Sequence, residues 1–223
     1  MAKILNLETA TTNCSVSLAD NGEIVAIKEE NTPNYSHSEQ LHLFIDAVLK
    51  EASVSFEDLD AIAVSKGPGS YTGLRIGVSA AKGLCFARDI PLIAVPTLLS
   101  LAHQVKIEDG WLIPVLDARR MEVYAAVFDW QYQEVQATWA EIISEDSFSE
   151  YLNRGPVHLI GSGASKSGDV INNPKLVLHT EIYPSAREMG QISFEAYQKG
   201  AFENVAYFEP YYLKDFILTG KSK

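Results

Sequence analysis

The sequence predicts an α/β protein with mixed sheets flanked by helices, on three observations. Short apolar strands joined by a hairpin open the chain, strands then alternate with amphipathic helices, and a second strand–hairpin pair begins near residue 111.

Residues 4–9, 14–18 and 23–29 read as a three-strand meander. Its last turn, Ala19-Asp20-Asn21-Gly22, ends in an Asn-Gly pair that tolerates positive φ. After a polar, turn-rich stretch over 31–36, a helix is expected to start at Ser36 or Ser38, with Glu39 in its first turn favouring the helix dipole. Leu41, Phe44, Ile45, Val48, Leu49 and Ala52 then repeat at helical spacing and make one core-facing stripe, while Leu43 and Ala47 fall outside it. A buried-type strand over 60–65 leads through Lys66-Gly67-Pro68-Gly69-Ser70 into a second helix ending near residue 87. A strand over 91–95 and a short helix over 97–105 follow. In the second half, strands over 111–117 and 122–130 flank the turn Ala118-Arg119-Arg120-Met121. A helix over 146–153 comes next, then a strand over 157–160 that runs into Gly161-Ser162-Gly163. A last helix over 186–200 carries Met189, Ile192, Ala196 and Tyr197 on one side. The expected organisation is a first lobe over 1–106 and a second over 107–223, with helix 186–200 either completing the second or folding back on the first.

A chain of 223 residues, 47% hydrophobic, buries roughly 70% of its unfolded surface and needs no disulfide or metal to hold a core. Eighteen basic against 29 acidic residues give a net charge of −11, which makes the chain by itself a poor binder of nucleic acid or an anionic membrane unless a partner supplies positive charge. Cys14 and Cys85 are too few for a disulfide framework or a zinc site and suit a reducing compartment. The opening residues read as a strand rather than a secretory signal, and no apolar run reaches the roughly 18 residues of a membrane span, so a cytoplasmic protein is expected.

The second helix holds Gly73 and Gly77 one turn apart, each costing about 1 kcal/mol against alanine. With Ala80, Ala81 and Leu84 they form a strip of small residues, while Leu74, Val78 and Cys85 point elsewhere. Two apolar faces imply two neighbours: either the helix over 36–52 alone, or that helix together with a partner surface made by Leu43, Ala47, Gly73, Ile76, Gly77, Ala80 and Leu84. Glu8-Thr9-Ala10-Thr11-Thr12 ends the first strand, and its carboxylate and hydroxyls are either a phosphate cradle or a polar turn. Gly161 to Gly163 are a second such loop, so Glu8, Thr11, Thr12, Gly161 and Gly163 are the candidate nucleotide-binding residues. Gly67-Pro68-Gly69-Ser70 lacks the Gly-Lys-Ser/Thr ending of a P-loop and reads as a tight strand-to-helix turn. Asp117, Arg119, Arg120, Glu122 and Tyr124 crowd opposite charges into one hairpin, most simply as solvated ion pairs. His37, His42, His103, His158 and His179 show no metal-ligand spacing, and no serine sits in a Gly-x-Ser-x-Gly elbow. On composition and spacing alone the chain does not read as a hydrolase, and no metal-ligand set is expected.

The run from Lys66 to Gly77, through Gly67, Pro68, Gly69, Ser70 and Arg75, resembles the signature of the bacterial TsaB (YeaZ) family. Glu8-Thr9-Ala10-Thr11, the segment Asp117-Ala118-Arg119-Arg120-Met121-Glu122-Val123-Tyr124 and Pro210-Tyr211-Tyr212-Leu213-Lys214 follow in the family's order. The resemblance implies a two-lobed actin/hexokinase-like fold within the glycoprotease-like superfamily. It implies a noncatalytic subunit that binds and stabilises the transferase TsaD in forming threonylcarbamoyladenosine beside the tRNA anticodon. A TsaE-type ATPase joins through that complex, and the chain alone is expected as a homodimer. No resident cofactor is implied, with ATP or ADP reserved for an assembled interface. The paralogue TsaD carries a His-x-x-x-His metal pair after the strand matching 92–95; here Thr97 and Leu101 take those places, and neither is a useful ligand. The rival reading is a metal-dependent transferase or metallopeptidase that acts by itself.

Overall fold

A computed structural model describes residues 2–32 and 37–214. The first sheet has the order β3-β2-β1-β4-β5, built from β1 (Lys3–Glu8), β2 (Asn13–Asp20), β3 (Glu23–Asn31), β4 (Ala61–Gly67) and β5 (Leu92–Pro96). β1 runs antiparallel to β2 and parallel to β4, and apart from Lys3 every one of its residues is buried, as a central strand requires. Alternate residues of one strand face opposite sides of the sheet. Leu5, Leu7, Ile62 and Val64 therefore meet α1 (His37–Glu51) and α2 (Tyr71–Arg88), which lie side by side on one face. Ile4, Ala61, Ala63, Ile93 and Val95 face the other way and are covered by Ala186 and Met189 of α6 (Ala186–Gln198). The last helix therefore packs on the first sheet, with Ile192, Ala196 and Tyr197 at the margin of that core. Of the two expected starts for α1, Ser36 lies outside the described residues and Ser38 is already within the helix.

The second sheet repeats the first. Its order, β8-β7-β6-β9-β10, uses β6 (Trp111–Asp117), β7 (Glu122–Asp129), β8 (Glu134–Ile142), β9 (Val157–Ile160) and β10 (Leu176–His179), with β6 again antiparallel to one neighbour and parallel to the other. Between the sheets runs α3 (Thr97–Ala102), and α4 (Ser149–Arg154) and α5 (Ala164–Gly168) complete the second lobe. Two sheets of one strand order, each flanked by helices, form the two-lobed actin/hexokinase-like fold that the resemblance implies. β8, β10 and α5 were not among the expected elements. Both strands are sheet edges, with Val135, Ile142, Val177 and Leu178 on the surface, so their apolar residues mark no buried stripe. No helix among the described residues is long and apolar enough to cross a membrane.

Past α6 the chain returns across the molecule. Glu203 N–H donates to the Leu92 carbonyl at 2.8 Å, Lys82 Nζ donates to the carbonyls of Ala206 and Phe208, and Tyr211 N–H reaches the Lys66 carbonyl at 2.7 Å. The segment then enters the space between the lobes, where the Lys214 ammonium pairs with Glu122.

Candidate functional site

The turn before α2 is wedged under the loop between β1 and β2. Ser70 caps the helix by accepting from Gly73 N–H at 3.2 Å, and its own N–H donates to the Ala10 carbonyl at 2.7 Å. A side chain at Gly69 would collide with that carbonyl, and Gly67 has a φ of +107° beside the Tyr211 backbone, so these glycines of the motif serve close backbone approach.

The same loop corrects an expectation. Gly73 and Gly77 are buried, and a Cβ at either would land in Thr9, at its carbonyl oxygen from Gly73 and at its hydroxyl from Gly77. Thr9 Oγ1 donates to the Gly73 carbonyl at 2.8 Å, which closes the contact. The two glycines are not partner-facing residues; they let β1's loop pack on the helix backbone within one subunit. Helical spacing explains this, since positions 73 and 77 share the inward face with Leu74, Val78, Ala81 and Cys85.

The outward face of α2 carries Ile76, Ala80, Gly83 and Leu84 at i, i+4, i+7 and i+8. With Arg75 and with His42 of α1 these line an open groove of about 710 Å³ between the two helices. Nothing lies within 4 Å of a Cβ built at Gly83, so the glycine that thins this surface is Gly83, which the sequence reading did not single out. Leu43 and Phe86 stand 62% and 84% exposed on the same two helices, and Ala47 is half-buried. Ile76, Ala80 and Leu84 belong to the expected partner surface, and the i, i+4, i+7, i+8 spacing that links them is the signal that adds Gly83.

A second depression, about 850 Å³, separates the lobes; Thr11, Thr12, Pro68, Ser70, Asp117 and Ser162 are on its walls. Glu8 is not, being fully buried behind the first strand. Its Oε1 accepts from Ala10 N–H at 2.6 Å and from Ser65 Oγ at 2.8 Å, and Oε2 has no partner among the described residues. Burial raises its carboxyl to about 7, with a smaller contribution from Glu188, itself raised to about 7 chiefly by burial. Glu8 is therefore no open phosphate or metal ligand. The threonine hydroxyls are committed locally, Thr12 Oγ1 to Asn31 and Thr11 Oγ1 to Asn13 N–H. Gly161 and Gly163 would place a Cβ 2.7 Å from Leu101 and 2.7 Å from Val123 respectively, so they are packing glycines. Thr11, Thr12 and Ser162 reach the same depression, but Glu8, Gly161 and Gly163 do not line it, so the nucleotide cradle expected of Glu8, Thr11, Thr12, Gly161 and Gly163 is not assembled.

The raised Glu8 carboxyl gives a pH prediction. Below pH 4.5 both folded and unfolded states hold the proton; between 4.5 and about 7 only the unfolded state releases it, so stability falls as pH rises and stays low above 7. The linkage is on the order of 3 kcal/mol for Glu8 alone. Glu8→Gln should flatten that decline and melt higher than the parent at pH 8; thermal melts of both proteins at pH 5 and pH 8 check it, and parallel pH profiles would refute the assignment.

In the hairpin of the second lobe, ion pairs form with distant residues rather than within the cluster. Lys166 Nζ, 18% exposed, donates to Asp117 Oδ1 at 2.8 Å and to the carbonyls of Arg120 and Glu122 at 3.0 and 2.6 Å. Glu122 pairs with Lys214. Lys166 and Lys214 lie 49 and 92 residues from their partners, and nothing in the local sequence announces them. Arg75 stacks over the Tyr71 ring at 4.8 Å. Thr97 is buried and its Oγ1 accepts from Gly67 N–H at 3.1 Å, while Leu101 is buried in the core beneath α3. Burial pushes both cysteine thiols up to about 12, removing them as nucleophiles. Among the described residues no three His, Cys, Asp or Glu side chains converge to hold a metal ion.

Residues 32–215 match the family model of TsaD, tRNA N6-adenosine threonylcarbamoyltransferase. The tRNA threonylcarbamoyladenosine biosynthesis protein TsaB of Escherichia coli is 30% identical, across 98% of this chain and 97% of its own. TsaB of Bacillus subtilis is 33% identical over 64% of this chain and 66% of its own. Threonylcarbamoyltransferases of Bacillus species are 37% identical over 41% of this chain, which spans 31% of their length. Among solved structures, YeaZ from Pseudomonas aeruginosa superposes with a TM-score of 0.81 at 28% identity, covering 96% of this chain and all of that one. The ethanolamine utilization protein EutJ from Carboxydothermus hydrogenoformans, at 12% identity and a TM-score of 0.52 over 85% of this chain and 89% of its own, shares the fold alone.

Proposed function

The chain belongs to the TsaB (YeaZ) family, and from that membership we propose that it serves tRNA threonylcarbamoyladenosine biosynthesis as a noncatalytic scaffold that docks a TsaD-type transferase. The observation that carries this reading is the groove between α1 and α2, where Ile76, Ala80, Gly83 and Leu84 lie open beside exposed Leu43 and Phe86. A largely apolar open groove on a chain of charge −11 supports a partner-docking role for this face. A paralogue of the same fold is the natural occupant, since it presents corresponding helices; a second copy of this chain takes the groove when the paralogue is absent. A TsaE-type ATPase then joins through the transferase.

Its lack of catalysis is supported by what fills the positions of TsaD's histidine pair. Thr97 spends its hydroxyl on the Gly67 amide and Leu101 packs in the core, so neither offers a free ligand atom. The test is size-exclusion chromatography of the chain alone, the transferase alone and the mixture. Co-elution with loss of the homodimer is expected, and independent elution of the two proteins would refute the docking role.

A further inference from the structure

His158 and His179 stand on the neighbouring parallel strands β9 and β10, where the register sets them diagonally: His158 lies opposite Val177 and His179 opposite Ile160. Strand alternation puts both half-buried rings on the sheet face that carries Leu112 and Ile160. His158 Nδ1 lies 2.9 Å from His179 Nε2. The ring centres are 5.2 Å apart and the ring planes lie 19° from parallel. That separation is the nitrogen–nitrogen distance plus one ring radius on each side, so the rings meet end to end, each nitrogen aimed at the other.

Such a linear contact holds one proton. With none between the nitrogens two lone pairs face each other, and with two the N–H groups collide. The outer nitrogens, His158 Nε2 and His179 Nδ1, take no part in the bond. On acidification the first added proton goes to an outer nitrogen and leaves the contact in place; the second has only a facing nitrogen left and breaks it. Burial lowers His158 below the ordinary value of 6.5, His179 lowers it further, and Asp109 in the loop before β6 pulls it up. Burial also lowers His179. The other groups around the pair are uncharged or committed. β6 sets Leu112 opposite His158, Lys175 before β10 donates to the Leu152 carbonyl, and Lys166 of α5 pairs with Asp117.

β10 is four residues long and an edge strand, bonded to β9 alone, with Val177 and Leu178 exposed. Short edge strands with few buried contacts are the segments that open first. Two backbone bonds flank the pair: Val157 N–H donates to the Lys175 carbonyl and Gly161 N–H to the His179 carbonyl, both at 3.0 Å. Leu178, on the opposite face of β10 from the rings, packs over Gly168 of α5. From α5, Lys166 reaches Asp117 and the Arg120 and Glu122 carbonyls, so β10 backs the helix that braces the 118–121 turn.

We propose that the His158–His179 pair is an acid-sensitive latch, which fastens β10 to β9 while a single proton lies between the rings and releases the strand, and with it the cover of α5, when a second is forced in. This device lies in the second lobe and does not depend on the docking role. Its sign is opposite to that of Glu8. Because both rings titrate below their unfolded value, the stability that the latch contributes is full above pH 6.5 and is lost as pH falls below it. Local opening, rather than the global melt, is therefore the quantity to read.

Amide hydrogen exchange at Val157 and Gly161, corrected for the intrinsic pH dependence of exchange, is followed from pH 7.5 to pH 5.5, and the histidine rings are titrated by NMR. Wild type is compared with His158→Gln and with His158→Gln/His179→Gln. In wild type the two rings should titrate in separate, coupled steps below 6.5. Protection at Gly161 should fall about tenfold over the last pH unit, the effect of one extra proton bound by the open state, while the amides of β1 keep theirs. Glutamine does not titrate, so the double variant should hold constant protection over the whole range, and His179 in the single variant should titrate in one step. The rings are half-buried at a sheet edge, so both variants should stay folded at pH 7.5; the wild-type ring titration needs no variant at all. Rings that titrate independently in wild type, or Gly161 protection that follows pH equally in wild type and the double variant, would overturn the proposal.

Discussion

Gly73→Val should lower the melting temperature of the isolated chain by about 6–12 °C, corresponding to about 2–4 kcal/mol. A Cβ at this position would clash with the Thr9 carbonyl oxygen, and the atom in the way is backbone in the loop just after the buried end of β1, so it cannot step aside as a side chain could. Relief requires moving the loop, which would disturb the Thr9 Oγ1 bond to the Gly73 carbonyl and the Ser70 N–H bond to Ala10. Differential scanning fluorimetry on the purified chain measures the effect. Gly77→Ala should follow the same pattern less severely, because its obstacle is the Thr9 side chain rather than the main chain. An unchanged melting temperature for Gly73→Val would mean that the helix and the loop do not touch as described. Where the melting temperature falls as expected, loss of a partner in this variant is not an interface effect, since the fold itself is compromised.

Ala80→Arg should do the reverse. Ala80 lies half-buried in the groove with the open position Gly83 nearby, so the folded chain can direct a longer side chain into solvent. Its melting temperature should stay within about 2 °C of wild type, as for a surface change of under 0.5 kcal/mol. Any docked partner, by contrast, must either bury an unpaired guanidinium or withdraw from the central contact. Removing or blocking a central apolar contact costs roughly 2–4 kcal/mol, so affinity for the transferase should fall by about 30- to 1000-fold. Titration calorimetry with the purified transferase reads this directly. Unaltered affinity would move the interface off α1 and α2.

The contrast between those two variants shows where sequence reasoning works and where it stops. Spacing alone located α1 and α2 and separated Leu43 from the core stripe, because helical periodicity is a property of neighbouring residues. It did not assign the glycines, because whether Gly73 faces a second helix or a β-strand loop depends on Thr9, 64 residues away. The same limit hid Lys166 and Lys214, whose partners are distant in the chain. It also made Glu8 look like an open carboxylate: the residue types of the loop are those of a polar turn, and only tertiary burial shows that the carboxyl lies behind β1 at 0% exposure. The central strands β1, β4, β6 and β9 were legible as buried runs, whereas the edge strands β8 and β10 carry their apolar residues on the surface and offered no such run. The repeated strand order of the two sheets is likewise a pattern of pairing, not of letters.

The scaffold role is tested most directly by reconstituting tRNA modification. Unmodified tRNA, a threonylcarbamoyl donor and ATP are combined with a TsaD-type transferase and a TsaE-type ATPase, and product is followed with wild-type chain, with Ala80→Arg, or with no chain at all. The account predicts turnover only with the wild-type chain, the groove variant behaving as if the chain had been omitted, and no product when the transferase is left out. Product formed by the chain without the transferase, or full rates supported by the groove variant, would contradict it.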